Sequence, residues 1–300
     1  MSKSDFLKNY QINAPDFVKD IYPKAKEVYV FAFLPFYVKR PTDYKIGLSG
    51  LGEDYHLVLK EKIENTALNT FGFKKGDYEI LVDCQKFDEK KLAVIAKAGF
   101  IAKNNLLYSP EAKGFPYLGE LITFTNEKNH NSECFSIKPD DFNFQSTKEI
   151  CKKCTACQLS CPASSLTDNG YQKDTCISFL TQKGGILNQK EMVLIGENIY
   201  GCDLCQDICP MNSLKNHQDL DYSLPNLYFL ATLTKDSFNE IKTLPFAWIG
   251  RVKLKRNAII CAYNKNLPEL SFILEQAKND PSPIIKKTSE IIYYLYSKKH

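Results

Sequence analysis

The sequence predicts an α+β protein laid out in three consecutive blocks, and three observations carry that reading. Strand-like and helix-like stretches alternate over residues 1–125. Eight of the eleven cysteines fall between Cys151 and Cys209. From Trp248 onward, three amphipathic stretches follow one another, separated by Asn and Pro breaks. The block boundaries are set at 1–130, 131–215 and 216–300.

In the first block, an α/β layer, "EVYVFAF" (27–33) and "YEILVD" (78–83) are rich in the β-branched and aromatic residues that strands favour. "DYHLVLKEKIENTALNTF" (54–71) repeats apolar residues at helical spacing and runs into Gly72, a stop. "DEKKLAVIAKAG" (88–99) is a second helix, with Asp88 as N-cap and Gly99 as its stop. "PYLGELITFT" (116–125) returns to strand, and residues 126–147 are polar and irregular, a linker. In the third block, 248–264, 267–280 and 281–299 are successive helices whose stacking resembles HEAT-type repeat units.

The composition, 44% hydrophobic and 25% charged, is that of an ordinary globular protein. The longest apolar run, Val28–Val38, is broken by Pro35 and is too short to span a bilayer, and the first residues lack the apolar stretch of a signal peptide. The expectation is a cytoplasmic monomer with no membrane contact. In that reducing compartment an odd total of eleven cysteines, eight of them clustered, points to metal ligation rather than disulfides. The formal net charge is only +4, but residues 246–300 hold ten Lys/Arg against four Asp/Glu. A basic end of this kind suits a polyanionic partner, and a solvated helix surface accounts for it equally well.

The cysteines are spaced informatively. Cys151-x2-Cys154-x2-Cys157-x3-Cys161-Pro162 is the bacterial ferredoxin pattern, in which three thiolates cap corners of one [4Fe–4S] cube and the fourth crosses to another. A second run reads Cys202-x2-Cys205-x3-Cys209-Pro210, with Cys176 alone upstream. Reciprocal crossing assigns Cys151, Cys154, Cys157 and Cys209 to one cluster, and Cys161, Cys176, Cys202 and Cys205 to the other. A zinc site would need paired CxxC knuckles and explains neither the triplet nor the prolines. Of the rest, Cys261 lies on an apolar helix face, Cys134 in the linker, and Cys84 at a strand end.

The stretch "CISFLTQKGGILNQKEMVLIGENIYGCDLCQDICPMN" (176–212) resembles the epoxyqueuosine reductase family. The resemblance extends, in order, through "GEDYHLVLKEKI" (52–63), "LVDC" (81–84, where the family has Val-Asp-Ser), "AKAGFIAKNNLL" (96–107), "YLGELI" (117–122) and "KRNAIICAYN" (255–264). It implies an N-terminal α/β cobalamin-binding domain, a central ferredoxin-like dicluster domain and a C-terminal helical region. It also implies two [4Fe–4S] clusters, a cobalamin, and removal of the epoxide oxygen of epoxyqueuosine in the tRNA anticodon loop. An external flavodoxin- or ferredoxin-type protein would donate the electrons. The family's proton-donating aspartate falls on Asp83, a carboxylate at a strand end where α/β sheets present ligand sites.

Lys103, Asn105 and Ser178 match positions around the corrin. His56 lies in a stretch like that of proteins whose histidine ligates cobalt, but the accompanying glycines are missing. A hydrogen-bonding role at a helix N-terminus is expected for it, beside the cobalamin pocket. Arg251, Lys253 and Lys255, with Lys286 and Lys287, are the candidate tRNA contacts. The chain departs from the family over Leu48–Leu57, where basic groups and a tyrosine are replaced, one by Glu53, and at Ala102, where the family has glycine. These changes keep two other readings open: a paralogous corrinoid reductase with another substrate, and a dicluster electron-transfer protein without cobalamin.

Overall fold

The computed structural model describes residues 6–34, 37–38, 40–125, 144–212, 217–218 and 224–298. Cys134 and most of the expected linker lie outside them. The contacts group the chain into two interleaved units rather than three consecutive blocks. Residues 1–36, 55–157 and 206–216 form the first unit, and 37–54, 158–205 and 217–300 the second.

The first unit is built on a four-stranded sheet of β1 (Phe6–Asn13), β2 (Glu27–Leu34), β3 (Tyr78–Val82) and β4 (Tyr117–Thr123), in the order β1-β2-β4-β3. All three pairings are antiparallel. Side chains alternate between the faces of a strand, and β2 uses both. Tyr29, Phe31 and Phe33 pack with Leu59 and Ile63 of α1 (Tyr55–Asn65). Val28, Val30 and Ala32 pack with Leu92 and Ala93 of α2 (Glu89–Ile95). The sheet is therefore covered on both sides, which explains why β2 reads as a continuous apolar run. Gly119 of β4 admits α1 closely, since a Cβ there would stand 2.8 Å from Ile63 Cδ1.

Helix α2 is N-capped by Asp88, as expected, with the side chain accepting from the Lys91 N–H. Its end differs from expectation. Lys97, not Gly99, takes the left-handed conformation (φ 62°), and Gly99 is required instead by crowding, its Cβ direction meeting the Tyr108 carbonyl at 2.2 Å. α3 (Phe144–Lys153) and α4 (Ala156–Ser160) carry the first cysteines.

The second unit contains α5 (Ile177–Gln182), α6 (Gln189–Ile195), α7 (Arg251–Asn264), α8 (Leu270–Lys278) and α9 (Pro283–Ser297). α7 is its hub, buried continuously from Leu254 to Tyr263, including Cys261 as expected. No helix among the described residues is long and apolar enough to cross a membrane.

Candidate functional site

Within the first unit, Cys151, Cys154, Cys157 and Cys209 line one pocket together with Lys103 and Met211. The Cys157 thiol is pushed up by burial and then by its neighbours Cys151, Cys154 and Cys209. Backbone donors turn toward the sulfurs: Lys103 N–H to Cys151 Sγ and Ala156 N–H to Cys154 Sγ, each at 3.5 Å. The Lys103 ammonium donates to the Cys154 carbonyl at 3.0 Å, so this side chain is engaged with the cysteine loop.

Cys161, Cys176, Cys202 and Cys205 lie within the second unit. Burial pushes the Cys202 thiol up to about 11, with further contributions from Asp203, Cys176 and Cys161. Tyr171 stands against Cys176 and senses Cys205, and Ser165 N–H donates to Cys161 Sγ at 3.4 Å. The loop bearing Cys202 is fixed by a close backbone crossing. Gly201 (φ 67°) passes Gly47 so tightly that a Cβ on Gly47 would stand 3.2 Å from the Gly201 Cα. Asp203 then accepts from the Leu48 N–H at 2.6 Å and from Arg40 at 2.8 Å.

All eight thiols are free of disulfides. Around one zinc ion, with Zn–S of about 2.3 Å at tetrahedral angles, sulfurs stand about 3.8 Å apart. Among the described residues, no three of these eight sulfurs lie mutually within 4.8 Å.

Asp83 follows β3 at the edge of the sheet, in the left-handed region (φ 53°), which aspartate tolerates better than most residues. Because the sheet is antiparallel, the rule for carboxyl ends of parallel strands does not explain its position. The chain turning away from an edge strand does. Its carboxylate accepts from the Tyr55 hydroxyl and pairs with His56 Nε2 at 3.0 Å. The Tyr55 ring is sandwiched at 4.0 Å centroid distance between His56 and Tyr117. The hydrogen bond from His56 holds Asp83 below the usual carboxylate range; burial opposes it and Tyr55 assists. His56 is thus joined to the candidate acid.

The sequence singled out Asp83 and His56 separately, but Tyr117 lies far along the chain and no local pattern joins it to them. Glu89 and Glu120, which come within 4.8 Å of Cys84, were also missed. A lone glutamate in an apolar strand was the available signal for Glu120. Asn105 occupies a left-handed turn (φ 63°) whose carbonyl accepts from Lys90. Ser178 lies in α5 of the second unit and accepts from Thr181 and Gln182 through its carbonyl.

Two candidate tRNA contacts are corrected. Arg251 forms a two-pronged pair with Asp280 at 2.8 and 3.0 Å, and Lys255, only 4% exposed, donates to the same carboxylate at 2.8 Å. α7 is an internal helix, and Arg251 and Lys255 neutralise a buried aspartate instead of facing a polyanion. Burial would raise Asp280, but the bonds from Arg251 and Lys255 win and hold it well below the usual range. Arg256 and Asn257 are fully buried and bind the carbonyls of Leu180, Thr181, Lys183, Gly185 and Ile199. Lys253 remains half-buried over Trp248, whereas Lys286 and Lys287 are exposed.

Comparison with known proteins supplies the context. Residues 150–212 match a family model described as a 4Fe-4S double cluster binding domain. The epoxyqueuosine reductase of Bacillus subtilis (strain 168) is 30% identical over 294 residues, covering 90% of this chain and 72% of that protein. That of Bacillus anthracis is 32% identical over 251 residues, 79% of this chain and 62% of that one. A crystal structure of epoxyqueuosine reductase with an epoxyqueuosine-modified tRNA-Tyr stem loop superposes with a TM-score of 0.74 at 28% identity, covering 91% of this chain and 74% of that one. With sequence, fold and double-cluster segment in agreement, the chain belongs to the epoxyqueuosine reductase family of oxidoreductases.

Proposed function

We propose that this chain reduces epoxyqueuosine in tRNA to queuosine, using two [4Fe–4S] clusters and a cobalamin. The observation that carries the reading is the presence of two cysteine quartets, each inside one compact unit, in a chain matched over 90% of its length by a reductase. Cys151, Cys154, Cys157 and Cys209 hold one cluster; Cys161, Cys176, Cys202 and Cys205 hold the other. Backbone N–H groups aimed at Cys151, Cys154 and Cys161 would set the cluster potentials, since donors to cluster sulfurs tune them.

A bound cobalamin would supply the reducing metal centre, and Lys103 and Asn105 are the residues that would hold it. In support of its place, the 102–105 turn that includes Lys103 and Asn105 touches the Cys151 sulfur through the Lys103 N–H. His56 is engaged by Asp83 through Nε2 at 3.0 Å. Asp83 then protonates the departing oxygen. Its carboxyl is held in the ionised form, so the proton it delivers is one shared with His56, and Tyr55 and Tyr117 keep the pair in place. Lys286 supplies exposed positive charge for the tRNA backbone, beside Lys287, whose ammonium is paired with Glu290 at 2.9 Å.

The test is anaerobic incubation of iron-loaded protein, cobalamin and reductant with tRNA carrying epoxyqueuosine, followed by mass analysis of the nucleosides. Conversion to queuosine, with loss of one oxygen, is expected. If the tRNA is unchanged while both clusters cycle between redox states, the chain is an electron carrier or acts on another substrate.

A further inference from the structure

The loop after β3 contains a second constellation, on the sheet face opposite α1. Glu120 lies on central strand β4, opposite Val30 and Leu81, and is fully buried on the apolar face covered by α2. Neither of its carboxylate oxygens has a hydrogen-bond partner among the described residues. A buried polar group left unpaired is costly, and more so if it is charged. Yet its oxygen, a Glu89 oxygen and the Cys84 sulfur all lie within 4.8 Å of one another.

Ligands held at about 2.0–2.3 Å around one ion stand a little under 4 Å apart, which falls inside that 4.8 Å bound.

Burial pushes Glu89 up to about 7 and Glu120 well above the usual range, with Asp83 adding to both, so without a cation these carboxyls favour their neutral forms. The neighbouring lysines are engaged elsewhere: Lys90 with the Asn105 carbonyl, Lys86 with Tyr22 and Glu79, Lys91 over Phe17. The Cys84 thiol is raised by burial, while the backbone N–H groups of Lys86 and Phe87 favour its thiolate. The Cys84 N–H orients Glu89 at 2.7 Å.

We propose that Cys84, Glu89 and Glu120 bind one divalent cation of the zinc class, which pins the loop that begins at Asp83 to the central strand. One thiolate and two carboxylates form a three-ligand set with a fourth position for water, a donor combination suited to zinc. Cys84 and Glu89 bracket the 84–89 loop, and Glu120 is its anchor on the sheet. The inference is independent of the tRNA reading, because it concerns metal content.

The test loads the iron-replete protein with zinc chloride, removes excess metal, and counts zinc and iron. One zinc per chain, beyond the cluster iron, is expected. X-ray absorption at the zinc edge should give one sulfur at about 2.3 Å with oxygens at about 2.0–2.2 Å. Cys84→Ser and Glu120→Gln, both close in size, should each weaken zinc binding at least tenfold, the order seen for losses around metal sites, while keeping their iron. Zinc should also slow hydrogen exchange of amides 84–89 in the unaltered protein but not in the variants. Failure to retain zinc, undiminished retention by both variants, or a sulfur-only shell would overturn the proposal.

Discussion

Replacing His56 with phenylalanine separates two ways in which Asp83 could act. The substitution keeps an aromatic ring to stack on Tyr55, whose centroid lies 4.0 Å from that of His56, and removes the nitrogen 3.0 Å from Asp83. The hydrogen bond from His56 is the largest influence holding Asp83 down, so its carboxyl should rise toward the ordinary range. An acid held below the ordinary aspartate range is almost entirely ionised at pH 7. If Asp83 alone were the donor, raising it would increase the protonated fraction about tenfold per pKa unit, and turnover would quicken. If the proton is shared with His56, the variant loses its source and slows on the order of a hundred- to ten-thousand-fold. We expect the slowing. The assay is single-turnover conversion of epoxyqueuosine in tRNA between pH 6 and 8, with iron content and melting temperature as controls for integrity. A His56→Phe protein as fast as the unaltered one, or faster, would refute the shared proton.

Three further outcomes follow from the geometry. Asp280→Asn leaves Arg251 and Lys255 buried without a counter-charge, which should cost about 3–5 kcal/mol and lower the melting temperature by roughly 6–20 °C. Because Asp280 titrates lower folded than unfolded, its stabilisation is present above the ordinary aspartate range and is lost as the pH falls through the depressed folded value, so in a series of acid melts the variant and the unaltered protein should converge. Cys209→Ala should remove the cluster of Cys154, not that of Cys205: combined with Cys154→Ala it should cost no further iron, whereas combined with Cys205→Ala it should leave none. Binding of tRNA, followed by anisotropy, should weaken with salt by about 0.7–0.9 log units per phosphate contact, and Lys286→Glu should remove about one contact from that slope; an unchanged slope would exclude Lys286 from the interface.

Where one local signal dominated, the sequence was a sufficient guide. Asp88 caps its helix because a short carboxylate before an apolar-periodic run meets a free backbone N–H, whatever the tertiary setting. Arg251 and Lys255 were misread for the opposite reason. Charge composition reports how many cations a segment carries, not which way they face, and the partner that draws Arg251 and Lys255 inward lies 29 and 25 residues away. The antiparallel sheet escaped for a similar reason, since alternating strands and helices resemble a parallel layer until the pairings of β4 with β2 and β3 are known.

The cysteine spacing, by contrast, carries long-range information, because a cluster forces distant thiolates together. The crossing rule takes the fourth cysteine of each run away from its own neighbours. The chain leaves the first unit directly after Cys157 and re-enters it directly after Cys205, at Gln206. Cys161 therefore falls among the residues of the second unit, and Cys209 among those of the first. In the proposed assignment each quartet takes one ligand from the other run, as in a two-cluster ferredoxin. The spacing therefore carries the exchange of ligands within residues 150–212, which match one 4Fe-4S double cluster binding domain, while the division of those residues between two units rests on packing that no spacing encodes.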